Sequence, residues 1–254
     1  MATVFRKYAV PDNEAVLSLA LASTSYDPGG RPNWTPWHEI TAWSSPEQGK
    51  VVICAIPKAG SSSIKNMGAR ALTIAQVSKA FVQPRTYRIA LVRDPLERFV
   101  SWYEDKVKGR IPGPGFYNHA LRISNDSVLH TMGVYAAALA REGVGTMEPH
   151  LRSQAQHCAL HLLHFDLVHP LENVSKLPTR VAAALNMTDL RALPTKNAGD
   201  YKRGAMGSGR SLSSCFGDSL RQLVGRAYAE DYSWIGRHGV NYKVQLDRSC
   251  DPVR

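Results

Sequence analysis

The segment that most constrains the fold is an apolar run that leads directly into a loop of small residues. Residues 51–56 read VVICAI, a continuous run rich in β-branched side chains, and Pro57 ends it. Such a run without polar alternation is typical of a strand buried on both faces of a parallel sheet. The loop at residues 57–63, PKAGSSS, leads into a helical pattern predicted over residues 62–79. A strand, a loop and a helix in this order predict an α/β fold.

A second unit of the same kind follows in the chain. Residues 87–92 read as a strand that runs into Arg93, and Asp94 and Pro95 begin a helix predicted over residues 95–108. Asp94 suits the capping position, and Pro95 suits the first helical position because its nitrogen needs no partner. Two successive units predict a single-domain three-layer sandwich, with a central parallel sheet and helices on both faces. Ligands of such sheets gather at the carboxyl ends of the strands.

Weaker patterns extend this arrangement along the chain. Helices are predicted at residues 13–22, 119–141, 174–185 and 214–229, a third strand at 165–168, and loops at 26–49, 109–117 and 195–209. The chain of 254 residues is long enough for one such domain and short for two. One sheet domain is therefore expected.

The net charge favours an anionic partner. Lys and Arg total 31 against 21 Asp and Glu, which gives a formal charge of +10 at pH 7. A nucleic acid, a phosphorylated cofactor and an acidic glycan all suit that surplus, and so does a basic surface with no dedicated partner. The chain carries no recognised nucleic-acid-binding motif and no basic stripe with interleaved aromatic residues. We therefore expect no nucleic-acid partner.

The cysteines and the apolar segments bear on the compartment. Four cysteines lie far apart without a C-x-x-C pair, and we expect them to be mostly reduced thiols. The first residues lack the apolar core of a signal peptide, and no stretch reaches the roughly 18 apolar residues of a membrane span. The expectation is a cytoplasmic protein with no membrane span.

The loop after the first strand has the composition of an anion-binding turn. Lys58 supplies a cation, and small residues leave main-chain N–H groups accessible at the positive end of the following helix. An ordinary turn capped by serine is the alternative. A nucleoside-triphosphate loop is disfavoured because its lysine comes at the end of G-x-x-x-x-G-K-[ST], and no G-x-G-x-x-G follows a strand. The candidate anion-binding residues are Lys58, Ala59, Gly60, Ser61, Ser62 and Ser63.

Arg93 and Ser101 form a second candidate anion site. Arg93 follows the second strand, and Ser101 comes about two turns along the next helix. A guanidinium and a hydroxyl placed in this way can donate to one phosphate. The alternative is that Arg93 pairs with a structural carboxylate while Ser101 faces solvent.

Both candidate sites resemble the signatures of a known enzyme family. The segments IPKAGSSS and LVRDPLERFVSWYEDK are similar to the two cofactor-binding signatures of the Golgi carbohydrate sulfotransferases. The likeness is strongest to the chondroitin and dermatan 4-O-sulfotransferases and more distant to the heparan sulfate 2-O-sulfotransferases. His150, Cys158 and Glu172 keep the family's spacing, and LPTKN and RAYAEDYSWIG resemble its C-terminal pattern. The resemblance covers residues 51–236.

This resemblance implies an activity, a cofactor and a role for each candidate residue. The implied reaction moves a sulfuryl group from 3′-phosphoadenosine 5′-phosphosulfate (PAPS) to a hydroxyl of a carbohydrate or another small acceptor. The product nucleotide is 3′-phosphoadenosine 5′-phosphate (PAP), and no metal takes part. Lys58 and residues 59–63 would hold the 5′ side of PAPS, whereas Arg93 and Ser101 would hold its 3′-phosphate.

The resemblance also implies an organisation of the chain. A P-loop-like sulfotransferase domain is expected over residues 51–240, with a tail at 241–254 and an N-terminal extension at 1–50 packed on or near the acceptor side. A catalytically inactive relative that binds PAPS or a glycan is an alternative, and a basic nucleic-acid-binding protein is another. The identity of the acceptor and the oligomeric state stay open.

The general base has to come from outside the first loop and its helix. No Asp, Glu or His lies between Lys58 and Arg93. His150 is the leading candidate, since imidazole titrates near neutral pH and this residue matches a family histidine in MEPHLRSQ. The alternative is that His150 only bonds to main chain in a loop. The reserve candidates are Glu104, Glu148 and His119.

A cluster of histidines offers a metal-binding alternative. His157, His161 and His164 share one face of a helical pattern and would suit a zinc ion. The family resemblance explains the neighbouring Cys158 without a metal. We therefore predict no metal site.

Overall fold

Five strands form a mixed sheet in the described part of the chain. The computed structural model describes residues 40–43, 50–61, 64, 70–83, 86–103, 105, 128–144, 149–160, 163–186 and 217–242. The strands are β1 Ile40–Trp43, β2 Lys50–Cys54, β3 Arg70–Ala71, β4 Thr86–Val92 and β5 Leu167–Pro170. Their order is β3-β1-β2-β4-β5. β2, β4 and β5 are parallel, whereas β1 pairs antiparallel with both β2 and β3.

Helices connect these strands and follow the last of them. In the described ranges the α-helices are α1 Ile74–Val82, α2 Pro95–Tyr103, α3 Val128–Glu142, α4 Leu177–Leu185, α5 Asp218–Ala227 and α6 Ala229–Arg237. Short 3₁₀ helices span Pro149–Leu151, Gln154–Ala159 and Leu171–Lys176. Both long parallel connections, from β2 to β4 and from β4 to β5, therefore contain helices, as parallel strands require.

Alternate side chains of the central strands enter two different core clusters. Val52 and Ala90 pack in one cluster with Phe81 of α1 and Ile235 of α6. The side chains next to them in sequence point the other way and pack against α4 in a second cluster. That second cluster contains Val51, Ile53, Ile89, Leu91, Leu177 and Val181. Helices thus cover both faces of the sheet, and the predicted three-layer α/β architecture is confirmed, although the sheet is mixed at one edge.

The prediction of one helix over residues 62–79 is wrong. The chain forms β3 at Arg70–Ala71 and then begins α1 at Ile74. The Thr73 hydroxyl accepts a hydrogen bond from the Gln76 main-chain N–H, and the Gln76 side chain accepts one from the Thr73 N–H. This reciprocal capping box starts a new helix, because it satisfies two of the N–H groups that an N-terminus leaves without helical partners.

Other boundaries also differ from the sequence prediction. The predicted loop at residues 26–49 contains β1, which pairs antiparallel with β2. β5 begins two residues later than predicted. The predicted helix at 214–229 is two helices, since Tyr228 (φ −109°, ψ 26°) interrupts the helical geometry between α5 and α6. The predicted segments 13–22, 109–117 and 195–209 lie outside the described residues.

Cys54, the last residue of β2, forms a disulfide. Its partner is not among the side chains that the structure describes. The expectation of reduced thiols is therefore wrong for this residue. Disulfides persist mainly in oxidising compartments. Within the described ranges, no helix combines the length and apolar character that crossing a bilayer demands.

Candidate active site

The loop after β2 makes a tight turn beyond the carboxyl end of the strand. The Ala59 N–H donates to the Ile56 carbonyl at 3.0 Å, and Lys58 and Gly60 both have left-handed backbone conformations, with φ of 64° and 90°. A Cβ atom at Gly60 would lie 2.7 Å from Leu171 Cδ1, so glycine suits both the backbone and the packing. For Lys58 the left-handed conformation costs about 1 kcal/mol or more, which the surrounding contacts must offset.

The loop leads into the first turn of a helix. The Ile64 N–H donates to the Gly60 carbonyl at 3.1 Å, which is a helical hydrogen bond. Ser61 is helical and partly exposed, whereas Ser62 and Ser63 lie outside the described residues. A helical turn therefore begins at the end of the loop that follows β2.

Arg93 lies beside this loop. β2 and β4 are parallel neighbours, with Cys54 opposite Ala90, so their carboxyl ends meet at one edge. The Arg93 Nη1 atom donates to the Lys58 carbonyl oxygen at 3.2 Å, and Arg93 Nη2 lies 3.7 Å from Glu97 Oε2. The structure thus brings together the lysine and the arginine that the sequence analysis singled out.

The Lys58 ammonium forms an ion pair with Asp105, just beyond α2. The Lys58 side chain is 16% exposed and the Asp105 side chain is 39% exposed, so the pair lies at the surface of the site. Any ligand anion that reaches this ammonium has to share it with the Asp105 carboxylate or displace that carboxylate. Asp105 lies inside the signature-like segment quoted above, but the sequence analysis did not single it out.

Arg98 joins the loop to the segment that carries His150. Its side chain is 1% exposed and donates from Nε to the Pro57 carbonyl at 3.0 Å and from Nη1 to the Arg152 carbonyl at 2.7 Å. Its Nη2 atom lies 3.3 Å from His157 Nε2. A planar guanidinium can make these separate contacts at once because its donors point in fixed directions. The Arg98 side chain therefore holds the main chain of the loop after β2, at Pro57, and that of the segment after His150, at Arg152.

Gln154 holds the main chain of Arg93. Its Oε1 atom accepts from the Arg93 N–H at 2.9 Å, and its Nε2 atom donates to the Arg93 carbonyl at 2.8 Å. Gln154 is fully buried, as is Asp231 of α6. The Asp231 carboxylate accepts hydrogen bonds from the Ser153 hydroxyl, the Gln154 N–H and the Ala155 N–H.

Ser101 lies on α2, and His150 lies on a short helix that packs against α2. Ser101 is in the last turn of α2 and is 8% exposed. His150 is partly exposed on the 3₁₀ helix Pro149–Leu151, and Leu151 packs in one core cluster with Phe99 of α2. His150 therefore lies on a segment that packs directly on the helix carrying Ser101.

An acidic side chain caps α2 at the carboxyl edge of the sheet. Asp94 Oδ1 accepts from the Leu96 N–H at 2.8 Å and from the Glu97 N–H at 3.3 Å, as the predicted cap requires. The Tyr232 hydroxyl donates to the same oxygen at 3.3 Å. Burial raises the pKa of Asp94 above its ordinary value, against the lowering effect of these hydrogen bonds.

A second carboxyl group lies beside the first. Glu172 Oε1 is 3.5 Å from the Asp94 main-chain nitrogen, and the Tyr242 hydroxyl donates to Glu172 Oε2 at 3.1 Å. Burial raises the pKa of Glu172, while Tyr242 and the positive charge of Arg93 oppose that rise. Burial also raises the pKa of the Tyr242 hydroxyl, which stays a neutral donor. The edge therefore combines Arg93 with two carboxyl groups held by tyrosines.

Two of the three histidines proposed as a metal alternative, His157 and His164, have other partners. His157 faces the Arg98 guanidinium, whereas the His164 side chain is 62% exposed and lies 3.6 Å from Asp166. His161 is outside the described residues. Across the described ranges, no three His, Cys, Asp or Glu side chains form a group that could hold a metal ion. The reserve bases Glu104, Glu148 and His119 also lie outside the described side chains.

The sheet and its loop define an α/β protein in which Lys58 and Arg93 follow two neighbouring parallel strands and lie together at one edge of the sheet. A family model described as "Sulfotransferase family" matches residues 41–234, from within β1 to within α6. The chain therefore belongs to the sulfotransferase family. Neither a curated protein nor a solved structure matches the chain. The family match includes every candidate residue described above.

Proposed function

We propose that this protein transfers a sulfuryl group from PAPS to a hydroxyl of a carbohydrate or another small acceptor. Membership of the sulfotransferase family supports sulfuryl transfer in general. The observation that carries the choice of donor is the contact between the Arg93 guanidinium and the Lys58 carbonyl at the ends of adjacent strands. Two cations on neighbouring strand ends suit a nucleotide with anionic groups at both its 5′ and its 3′ position.

The two ends of the donor are assigned to the two strand ends. Lys58, the turn at Ala59 and Gly60, and the serines at 61–63 form the site for the 5′-phosphosulfate, where helix N–H groups favour an anion. Arg93 binds the 3′-phosphate through its fork of N–H groups, with Ser101 as the accompanying hydroxyl. The same contacts hold the product PAP after transfer until it dissociates.

Transfer requires the acceptor oxygen, the sulfur and the leaving phosphate oxygen to lie in line. The acceptor oxygen forms a bond to sulfur as the bond from sulfur to the phosphate oxygen breaks, and negative charge builds on that leaving oxygen. Lys58 stabilises this charge, since a cation held in place before the reaction needs little reorganisation. The acceptor proton passes to His150, which acts as the general base.

Replacing His150 by alanine is expected to lower kcat by about 100-fold or more, the usual contribution of a general base. The affinity for PAP should stay within about twofold, because a base contacts the acceptor and not the nucleotide. The measurements are sulfate transfer at saturating PAPS and calorimetry with PAP. His164→Ala is the matched control, since this exposed imidazole lies beside Asp166. An unchanged kcat in His150→Ala would assign the base to Glu104, Glu148 or His119 instead.

Calorimetry with PAP tests the proposed donor site. We expect PAP to bind with a Kd on the order of micromolar and single-stranded DNA to compete poorly. Transfer of sulfate from PAPS to a panel of sugars and small hydroxyl compounds then tests turnover. Binding of PAP without transfer to any acceptor would indicate an inactive relative. Binding of DNA without binding of PAP would instead indicate a nucleic-acid-binding protein.

A further inference from the structure

The Gln154 side chain makes the two hydrogen bonds to the Arg93 main chain that a residue of a neighbouring strand would make. β4 ends at Val92, which pairs with Pro170 of β5, and Arg93 is the next residue. Gln154 bonds both the N–H and the carbonyl of Arg93, as the main chain of an adjacent strand would. These two groups flank the Arg93 Cα atom, so the pair of hydrogen bonds fixes the direction of its Cα–Cβ bond.

Gln154 is itself held in place from α6. Asp231 accepts from the Gln154 N–H at 2.9 Å and from the Ala155 N–H at 3.0 Å, and the Ser153 hydroxyl donates to the same carboxylate. Asp231 and Gln154 are both fully buried, so water does not compete for these bonds. Hydrogen bonds thus lead without a break from α6 to the main chain of Arg93.

We propose that Gln154 is a positioning residue that aims the Arg93 guanidinium at the 3′-phosphate of the nucleotide. This inference rests on the proposed function, because it assumes that Arg93 binds that phosphate. Bidentate recognition by arginine depends on orientation, and an arginine on an unrestrained main chain would lose binding through misalignment. In an active site, a misplacement of about 1 Å can cost about 100-fold in rate, which shows how strongly such contacts depend on position.

The test compares PAP with adenosine 5′-phosphate, which lacks the 3′-phosphate. Gln154→Met keeps the length of the side chain but removes both hydrogen bonds to Arg93. Gln154→Glu keeps the volume and the acceptor but loses the donor to the Arg93 carbonyl. For both variants we expect the Kd for PAP to rise about tenfold or more, while the Kd for adenosine 5′-phosphate changes less than about twofold.

A matched control and a double-variant cycle separate positioning from general damage. Gln156→Met makes the same replacement two residues further along the same 3₁₀ helix, at a partly exposed position, and should leave both Kd values unchanged. In an Arg93→Ala background, Gln154→Glu should have no further effect on PAP binding, since the residue through which it acts is gone. Thermal unfolding shows which variants are folded, and the isosteric Gln154→Glu carries the test if Gln154→Met does not fold.

The outcomes distinguish this inference from the proposed function. If the wild-type protein binds no PAP, the proposed function fails and the inference fails with it. If the wild type binds PAP but both nucleotides lose affinity equally in the Gln154 variants, Gln154 is structural and the inference alone is wrong. An unchanged Kd for PAP in Gln154→Glu would overturn it as well.

Discussion

Replacing Lys58 by alanine is expected to lower the rate of sulfuryl transfer by about 100- to 1000-fold, the loss seen when one group that stabilises transition-state charge is removed. The fold should be nearly unaffected, because the ion pair with Asp105 lies at the surface, where the Asp105 side chain is 39% exposed. The measurements are kcat at saturating PAPS and the free energy of unfolding in urea. Lys79→Ala, at an exposed position near the end of α1, is the matched control.

The pattern of kinetic changes in Lys58→Ala decides between two roles. A lower kcat with PAP affinity largely retained indicates a contact made in the transition state, as proposed here. A raised KM with an unchanged kcat would mean that Lys58 binds the ground state and the transition state equally. Normal values of both parameters would contradict the assignment of Lys58 to the 5′ side of the donor.

Replacing Asp231 by alanine is expected to reduce the free energy of unfolding by about 3 to 5 kcal/mol. The reason is that the Ser153 hydroxyl and the main-chain N–H groups of Gln154 and Ala155 would lose their buried acceptor, at about 1 to 3 kcal/mol for each. Urea unfolding measures this loss, provided that the variant and the wild type have the same m value. Buffers should contain no reductant, because Cys54 forms a disulfide.

Glu230→Ala is the control for this variant. Glu230 precedes Asp231 in the first turn of α6 but is exposed, so its loss should cost less than about 1 kcal/mol. A similarly small cost in Asp231→Ala would show that its three donors find other partners. That result would also remove the rigid support from which the positioning role of Gln154 is argued.

The loop that carries Lys58 and the strand end that carries Arg93 both depend on hydrogen bonds made by buried polar side chains. Arg98 donates hydrogen bonds to the carbonyl oxygens of Pro57 and Arg152. The Asp231 carboxylate accepts a hydrogen bond from the Gln154 N–H. Buried polar networks stabilise a fold only when their members are satisfied. The loop carrying Lys58 and the strand end carrying Arg93 are therefore held by side chains that do not themselves face the proposed nucleotide.

Local sequence patterns predicted the central strands but not the sheet edge. The apolar run VVICAI predicted a strand covered on both faces, because every side chain in it is apolar and alternate side chains point to opposite faces. β1 was missed because this short strand is selected by its pairing with β2 and β3, which no local pattern reports. The two-residue strand β3 depends on β1 in the same way, and its presence is what divides the predicted helix at 62–79.

The sequence by itself determined that a lysine follows one buried strand and an arginine follows the next. Parallel neighbours end at one edge, so this order predicts that the two cations lie together if the two strands are neighbours, and the pairing of β2 with β4 makes them so. Only the tertiary structure decided what holds them, since Lys58 and Asp105 are 47 residues apart, Arg93 and Gln154 61, and Gln154 and Asp231 77. Partners at such separations are chosen by how helices and strands pack, and residue type alone does not specify that choice.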